Sequence, residues 1–339
     1  MIERGARVEL DALPLAIGVD LGGSNLRLAV IRGGALELAT AHKEAVGEPR
    51  DPGTLIDRLV RLIDEARVRA GAAPDDVVPV GIGIAAMLRD RRGTVANSPH
   101  LRWRDVRFGE ALATALGPRR PLGVYNDVNA ITWGELELGA GAGVDDILAV
   151  YVGTGIGAGV VSGGALVEGA TNAAGEIGHT KVRWDEHAAV CACGGRGCVE
   201  AYVGGSYVQA RVRRELAAGT RSLALELAGG EPSAVTPGHV DQAAAAGDGW
   251  ALDLWSELAP LLGVSLGNAI AVLNPARLIL GGGMLSRTPI LREQVIAATM
   301  IAAPAALTET LDVRDAVLGD DAGLAGAALL AARGVSIVS

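Results

Sequence analysis

All three cysteines of the chain, Cys191, Cys193 and Cys198, fall in one short run, and His179 stands shortly before them. One imidazole and three thiolates make a complete tetrahedral zinc set. No thiol is left over for a disulfide, and Gly194, Gly195 and Gly197 permit the tight loop that three sulfurs around one ion require. With four protein ligands and no open position, such an ion is structural rather than a source of hydroxide. His187, in the spacer between His179 and Cys191, is a second candidate for the imidazole. Glu176 and Glu200 flank the whole cluster.

Glycine turns are the second chemical signal. Asp20-Leu21-Gly22-Gly23-Ser24-Asn25 places a carboxylate at a strand end and two glycines in the turn, where backbone amides can approach phosphate oxygens. Gly153-Thr154-Gly155-Ile156-Gly157 repeats the device in the second half. It meets the dinucleotide fingerprint only in part, because it lies between two strands and no helix follows. Two such turns facing each other across a cleft could hold the two ends of a triphosphate. A third cluster, Gly281-Gly282-Gly283, ends a strand, and its bare backbone around Gly282 suits a flat purine.

The elements that must position these groups are legible as two similar series. Strand patterns run over residues 15–20, 26–31, 35–40, 77–84 and 122–125, with amphipathic helices over 54–70 and 129–138. The order restarts with strands over 147–152 and 157–161. Helices over 207–217, 237–246 and 250–272 follow, then a strand over 277–280, a helix from Pro289, a strand over 311–317 and a last helix over 322–332. The expected fold is α/β, with two related lobes and a ligand cleft between them. The smaller lobe spans residues 13–125 and is completed by a returning helix over 321–335; the larger spans 126–320 and carries the cysteine loop.

A formal net charge of −9 argues against an extended nucleic-acid surface, and half of the 339 residues are apolar, enough for a large core. Clustered free cysteines fit a reducing cytoplasm. Charged residues at Glu3, Arg4, Arg7, Glu9 and Asp11 precede the first apolar run, so no signal peptide is expected. The uncharged stretches 147–167 and 258–276 read as buried strands and a buried helix, not membrane spans, because glycines, a proline and asparagines interrupt them.

In this order the pieces resemble the ROK family of sugar kinases (repressors, open reading frames, kinases), within the actin-like ATPase and sugar-kinase superfamily. The specific part is Gly155-Ile156-Gly157 through Gly169, Gly175, Gly178 and His179, continuous with Cys-x-Cys-Gly-x-x-Gly-Cys-x-Glu from Cys191 to Glu200. The resemblance implies actin-like (ribonuclease H-like) lobes and an ATP-dependent kinase for a hexose, glucose first and N-acetylmannosamine, N-acetylglucosamine or fructose as alternatives. It makes Asp127, in Tyr125-Asn126-Asp127-Val128-Asn129, the general base, and Asn126, Glu176, His179 and Glu200 the sugar ligands. It makes Asp20, Gly22, Gly23 and Ser24 the first phosphate loop and Thr154 and Gly155 the second, with magnesium accompanying ATP. It also favours His179 over His187 as the zinc imidazole, and a homodimer.

The chain departs from the family pattern at Ala85-Ala86-Met87 and at His100, in His100-Leu101-Arg102-Trp103, both beside the sugar in the family. Some family members are repressors with an added helix-turn-helix. About fourteen residues precede the first strand here, so a kinase is expected rather than a sugar-sensing regulator.

Overall fold

The computed structural model describes Leu10 and residues 13–33 and 35–338. Its elements form two compact units. One comprises residues up to Asp145, Gly159–Ala174 and the chain from Val317; the other comprises Asp146–Ala158 and Gly175–Ala316.

In the first unit, β1 (Ala16–Leu21), β2 (Asn25–Arg32) and β3 (Ala35–Ala45) make an antiparallel meander. Helix α1 (Pro52–Arg69) follows, started by Asp51, whose side chain accepts from Thr54 N at 2.9 Å, with proline in its first turn. Its apolar stripe, Leu55, Ile56, Leu59, Leu62, Ile63 and Ala66, is buried. β4 (Val80–Ile84) pairs parallel to β1 and starts three residues later than the expected strand: Val77 is exposed, Val78 N bonds to Arg119 O, and Pro79 has no N–H to give a strand ladder. A small antiparallel sheet of β5 (Met87–Leu88), β6 (Val95–Ser98) and β7 (Trp103–Val106) comes next, then α2 (Phe108–Leu116). β8 (Leu122–Asn126) pairs parallel to β4 and leads directly into α3 (Asp127–Leu138). The main sheet order is β3-β2-β1-β4-β8. Its central strands β1 and β4 are apolar and buried except for half-buried Asp20 near the end of β1, as strands covered on both faces require.

The second series opens with β9 (Ile147–Val152), β10 (Ile156–Ser162) and β11 (Ala165–Leu166). Five helices follow: α4 (Glu200–Val203), α5 (Gly205–Ala217), α6 (Leu223–Leu227), α7 (Pro237–Ala245) and α8 (Gly249–Leu273). Then come β12 (Arg277–Gly281), α9 (Pro289–Ala302), α10 (Ala305–Thr308) and β13 (Asp312–Asp315). This sheet is ordered β11-β10-β9-β12-β13. Both sheets therefore consist of three meandering strands followed by two parallel additions, the repeat expected from the strand-glycine-strand openings. The fold is α/β, built of two actin-like units.

Helix α8 is long and apolar enough to cross a bilayer by length and composition. It is instead a packed helix, with Leu254, Trp255, Leu258, Leu262, Leu266 and Ile270 buried. Asp248 starts it by accepting from Ala251 N, and Asn274 ends it in the left-handed conformation at φ 44°.

The last helix, α11 (Ala322–Ala332), belongs to the first unit and is made of alanine, glycine and leucine. Small residues let it approach α3 closely: a Cβ added at Gly326 would stand 1.7 Å from the carbonyl oxygen of Ala130. Buried Glu135 of α3 accepts backbone hydrogen bonds from Ala140, Val317 and Leu318 at 2.8 to 2.9 Å, and Glu137 pairs with Arg333 at 2.9 Å. These contacts fix the helix whose first residue is Asp127. Gly326→Ala should cost about 1–3 kcal/mol, the range for overpacking a tight contact. Gly249→Ala, where an added Cβ meets nothing within 4 Å, should change stability by less than about 0.5 kcal/mol. Equal denaturation midpoints for Gly326→Ala and wild type would contradict the close packing.

Candidate active site

In the first unit, Asn126 caps α3. Its Oδ1 accepts from Val128 N at 2.9 Å and Asn129 N at 3.3 Å, and its Nδ2 donates to Ala86 O at 3.2 Å. The amide retains a second hydrogen for a ligand. The cap duty falls on Asn126, so Asp127 occupies the first helical position, half-buried, its Oδ1 accepting from Val128 N at 3.0 Å. A carboxylate here also sits where the helix dipole favours negative charge.

The Asp20 turn lies in the same unit. Gly22 N donates to Asn25 O at 3.0 Å and closes the β1–β2 hairpin. A Cβ at Gly23 would come within 2.5 Å of the His100 Cβ, so His100 lies directly over this turn. Asp20 stands opposite Arg27 in the hairpin register, and its Oδ2 accepts from Arg27 Nε at 3.1 Å and Nη2 at 2.5 Å. Both contacts fall on Oδ2. Arg27 belongs to no local motif; its signal is the hairpin pairing, which places residue 27 across from residue 20.

In the second unit, Gly153 N donates to Gly155 O at 2.9 Å, forming the second glycine turn. The N-terminus of α5 docks on this turn, Gly205 N on Gly153 O and Ser206 N on Thr154 O, each at 2.9 Å. Glu200, first residue of α4, reaches the other side: its Oε2 accepts from Ile156 N at 2.8 Å. A Cβ at Gly155 would stand 2.5 Å from that oxygen. Gly282 adopts φ 92° against the Val152 carbonyl, a conformation that L side chains rarely adopt.

His179, Cys191, Cys193 and Cys198 offer four ligand atoms, all within 4.8 Å of one another. Cys193 Sγ and Cys198 Sγ are 3.7 Å apart, as are Cys191 Sγ and His179 Nδ1. Tetrahedral geometry with metal–sulfur bonds of about 2.3 Å demands sulfur–sulfur edges of about 3.8 Å, so the donor set fits a four-coordinate soft-ligand dication. His187 lies outside the group; its side chain is 87% exposed and beside Glu186. The second ring nitrogen of His179, Nε2, faces Glu176 Oε2 at 3.7 Å, the carboxylate–histidine arrangement that orients metal-bound imidazoles. Burial pushes the Glu176 carboxyl above its ordinary range, opposed by His179 and reinforced by the Glu200 charge. Burial likewise raises the Cys191 thiol to about 11, whereas a hydrogen bond from the Gly195 backbone lowers that of Cys193. Lys181 is exposed and directs its Nζ at Cys198 Sγ, 2.9 Å away.

A family model described as the ROK family matches residues 16–334. The chain belongs to the ROK family. Among its ROK relatives, the glucokinase of Streptomyces coelicolor is 32% identical over 320 residues, covering 94% of this chain and 97% of the relative. N-acetyl-D-glucosamine kinase of Pasteurella multocida is 30% identical over 331 residues, covering 92% and 98%. The crystal structure of a ROK glucokinase from Streptomyces griseus, in complex with glucose and AMPPNP, superposes with a TM-score of 0.74 at 30% identity, covering 95% of this chain and all of that one.

The cysteines of this ROK chain differ in access: Cys193 is exposed, Cys191 and Cys198 are buried. In the presence of a chelator, iodoacetamide should label Cys193 well before the other two, as read by peptide mass analysis. Equal labelling rates at all three would contradict the arrangement.

Proposed function

We propose that this ROK protein is an ATP-dependent hexose kinase that transfers the γ-phosphoryl group to the 6-hydroxyl of glucose. The observation that carries this reading is the Glu200 carboxylate. It lies two residues beyond a metal-ligand cysteine and bonds to Ile156 N beside Thr154 and Gly155, so a hydroxyl acceptor and a phosphate-type turn share one hydrogen bond. Coverage of nearly the whole chain by glucokinase relatives supports the same activity.

Asp127 accepts the proton of the sugar's primary hydroxyl as that oxygen bonds to the γ-phosphorus and the bond to the ADP oxygen breaks. Such transfer asks little covalent work of the protein, so positioning and charge stabilisation dominate. Asn126, Glu176, His179 and Glu200 hold the sugar hydroxyls, and sites built this way reject analogues sharply, because a missing hydroxyl leaves buried groups unpaired. Backbone amides of Gly23, Ser24, Thr154 and Gly155 donate to phosphate oxygens, Gly22 shapes the first turn through its own bond to Asn25, and Gly282 offers bare backbone to the purine. Magnesium, when bound with ATP, would neutralise phosphate charge, and Asp20 would orient it. His179, Cys191, Cys193 and Cys198 would hold a structural zinc, which would keep His179 and Glu200 in place without entering phosphoryl transfer.

N-acetylglucosamine is the second reading, favoured by the N-acetyl-D-glucosamine kinase relative. A panel of hexoses and amino sugars with ATP, followed by coupled ADP release, separates them. Glucose should give the highest kcat/KM, and preference for an N-acetylated sugar would replace glucose as the substrate. Asp127→Asn should lower kcat by about 100- to 10,000-fold, with sugar affinity nearly unchanged. Full turnover in that variant would refute the assigned base, and no ADP release with any sugar would point to a non-catalytic sensor.

A further inference from the structure

Lys181 reaches the cysteine cluster through a short antiparallel ladder. Val199 N donates to Thr180 O at 3.0 Å and Val182 N to Gly197 O at 2.9 Å, with Lys181 and Cys198 directly opposite as a bridge pair. Side chains opposite one another across such a ladder share a face. The ammonium consequently meets the sulfur, Nζ to Sγ at 2.9 Å. A Cβ at Gly195 would stand 2.8 Å from that Nζ and 3.5 Å from Cys193 Sγ, so a bare glycine admits the cation beside a second sulfur.

A dication held by three thiolates and a neutral imidazole carries one net negative charge. We propose that Lys181 is the outer partner of this metal site, offsetting that charge through its hydrogen bond to Cys198 and so slowing loss of zinc. The inference rests on the zinc reading above. Charge-assisted hydrogen bonds are roughly twice as strong as neutral ones. Loss of an outer-shell partner typically weakens metal affinity 10- to 100-fold. Lys181 is exposed, so solvent screening places the effect at about the tenfold end of that range.

The test compares zinc-loaded wild type, Lys181→Met and Lys181→Arg by competition with a chromophoric chelator, reading both the zinc Kd and the release rate. Thermal unfolding of the three loaded proteins confirms that each is folded. Lys181→Met should bind zinc about tenfold more weakly and release it correspondingly faster, whereas Lys181→Arg, which keeps charge and donors, should recover most of the loss. If wild type holds one zinc and Lys181→Met matches it in Kd and release rate, the role of Lys181 is overturned while the zinc reading stands. Equal weakening in Lys181→Arg and Lys181→Met would show lost packing rather than lost charge, and also overturns it. Wild type that binds no zinc overturns the zinc reading and this inference together.

Discussion

The hydrogen bond from Ile156 N to Glu200 Oε2 joins three parts of the second unit that the chain order keeps apart. Ile156 opens β10 just after the Thr154-Gly155 turn, and Glu200 opens α4 just after the cysteine loop. A hydrogen bond to an ionised acceptor contributes about 1.5–3 kcal/mol, enough to hold the turn in one conformation. Glycine at 155 is part of the same constraint, because any side chain would push the carboxylate aside. Anything that fixes residues 198–200 therefore fixes the glycine turn, and the four donors of the metal cluster are the obvious anchor.

Asp127 depends on a different kind of constraint. Its helix is held by close backbone packing against α11, by the Glu137–Arg333 pair and by three backbone bonds to Glu135, all within the first unit. Asn126 takes the capping role and frees the adjacent aspartate from it. The first unit thus secures Asp127 by dense packing of small residues, and the second secures Glu200 through the loop that carries the cysteines. A loop of glycines and cysteines has little apolar surface to bury, so a metal held by its four donors would supply the order that packing does not.

Much of this was readable in the chain because it is local. The four metal donors lie in one short stretch, and each glycine turn lies between strands with unmistakable apolar patterns. The repeated strand order was visible for the same reason. Groups that depend on register were not. Arg27 meets Asp20 only because the hairpin aligns them, and Lys181 meets Cys198 only through a ladder formed by two loops. The small sheet of β5, β6 and β7 escaped notice because its strands are two to four residues long and carry arginine and aspartate among few apolar positions. His100 over Gly23 is likewise a tertiary contact, with no periodicity to announce it.

The central claim is that a structural zinc orders the sugar-binding arm without taking part in phosphoryl transfer. Calorimetric titration of glucose and, separately, of a non-hydrolysable ATP analogue, on zinc-loaded protein and on protein stripped by a chelator, addresses it most directly. The account predicts one zinc per loaded chain, loss of most glucose affinity on stripping, a smaller loss for the nucleotide, and recovery of both on adding zinc. Glucose affinity unchanged in metal-free protein would contradict it.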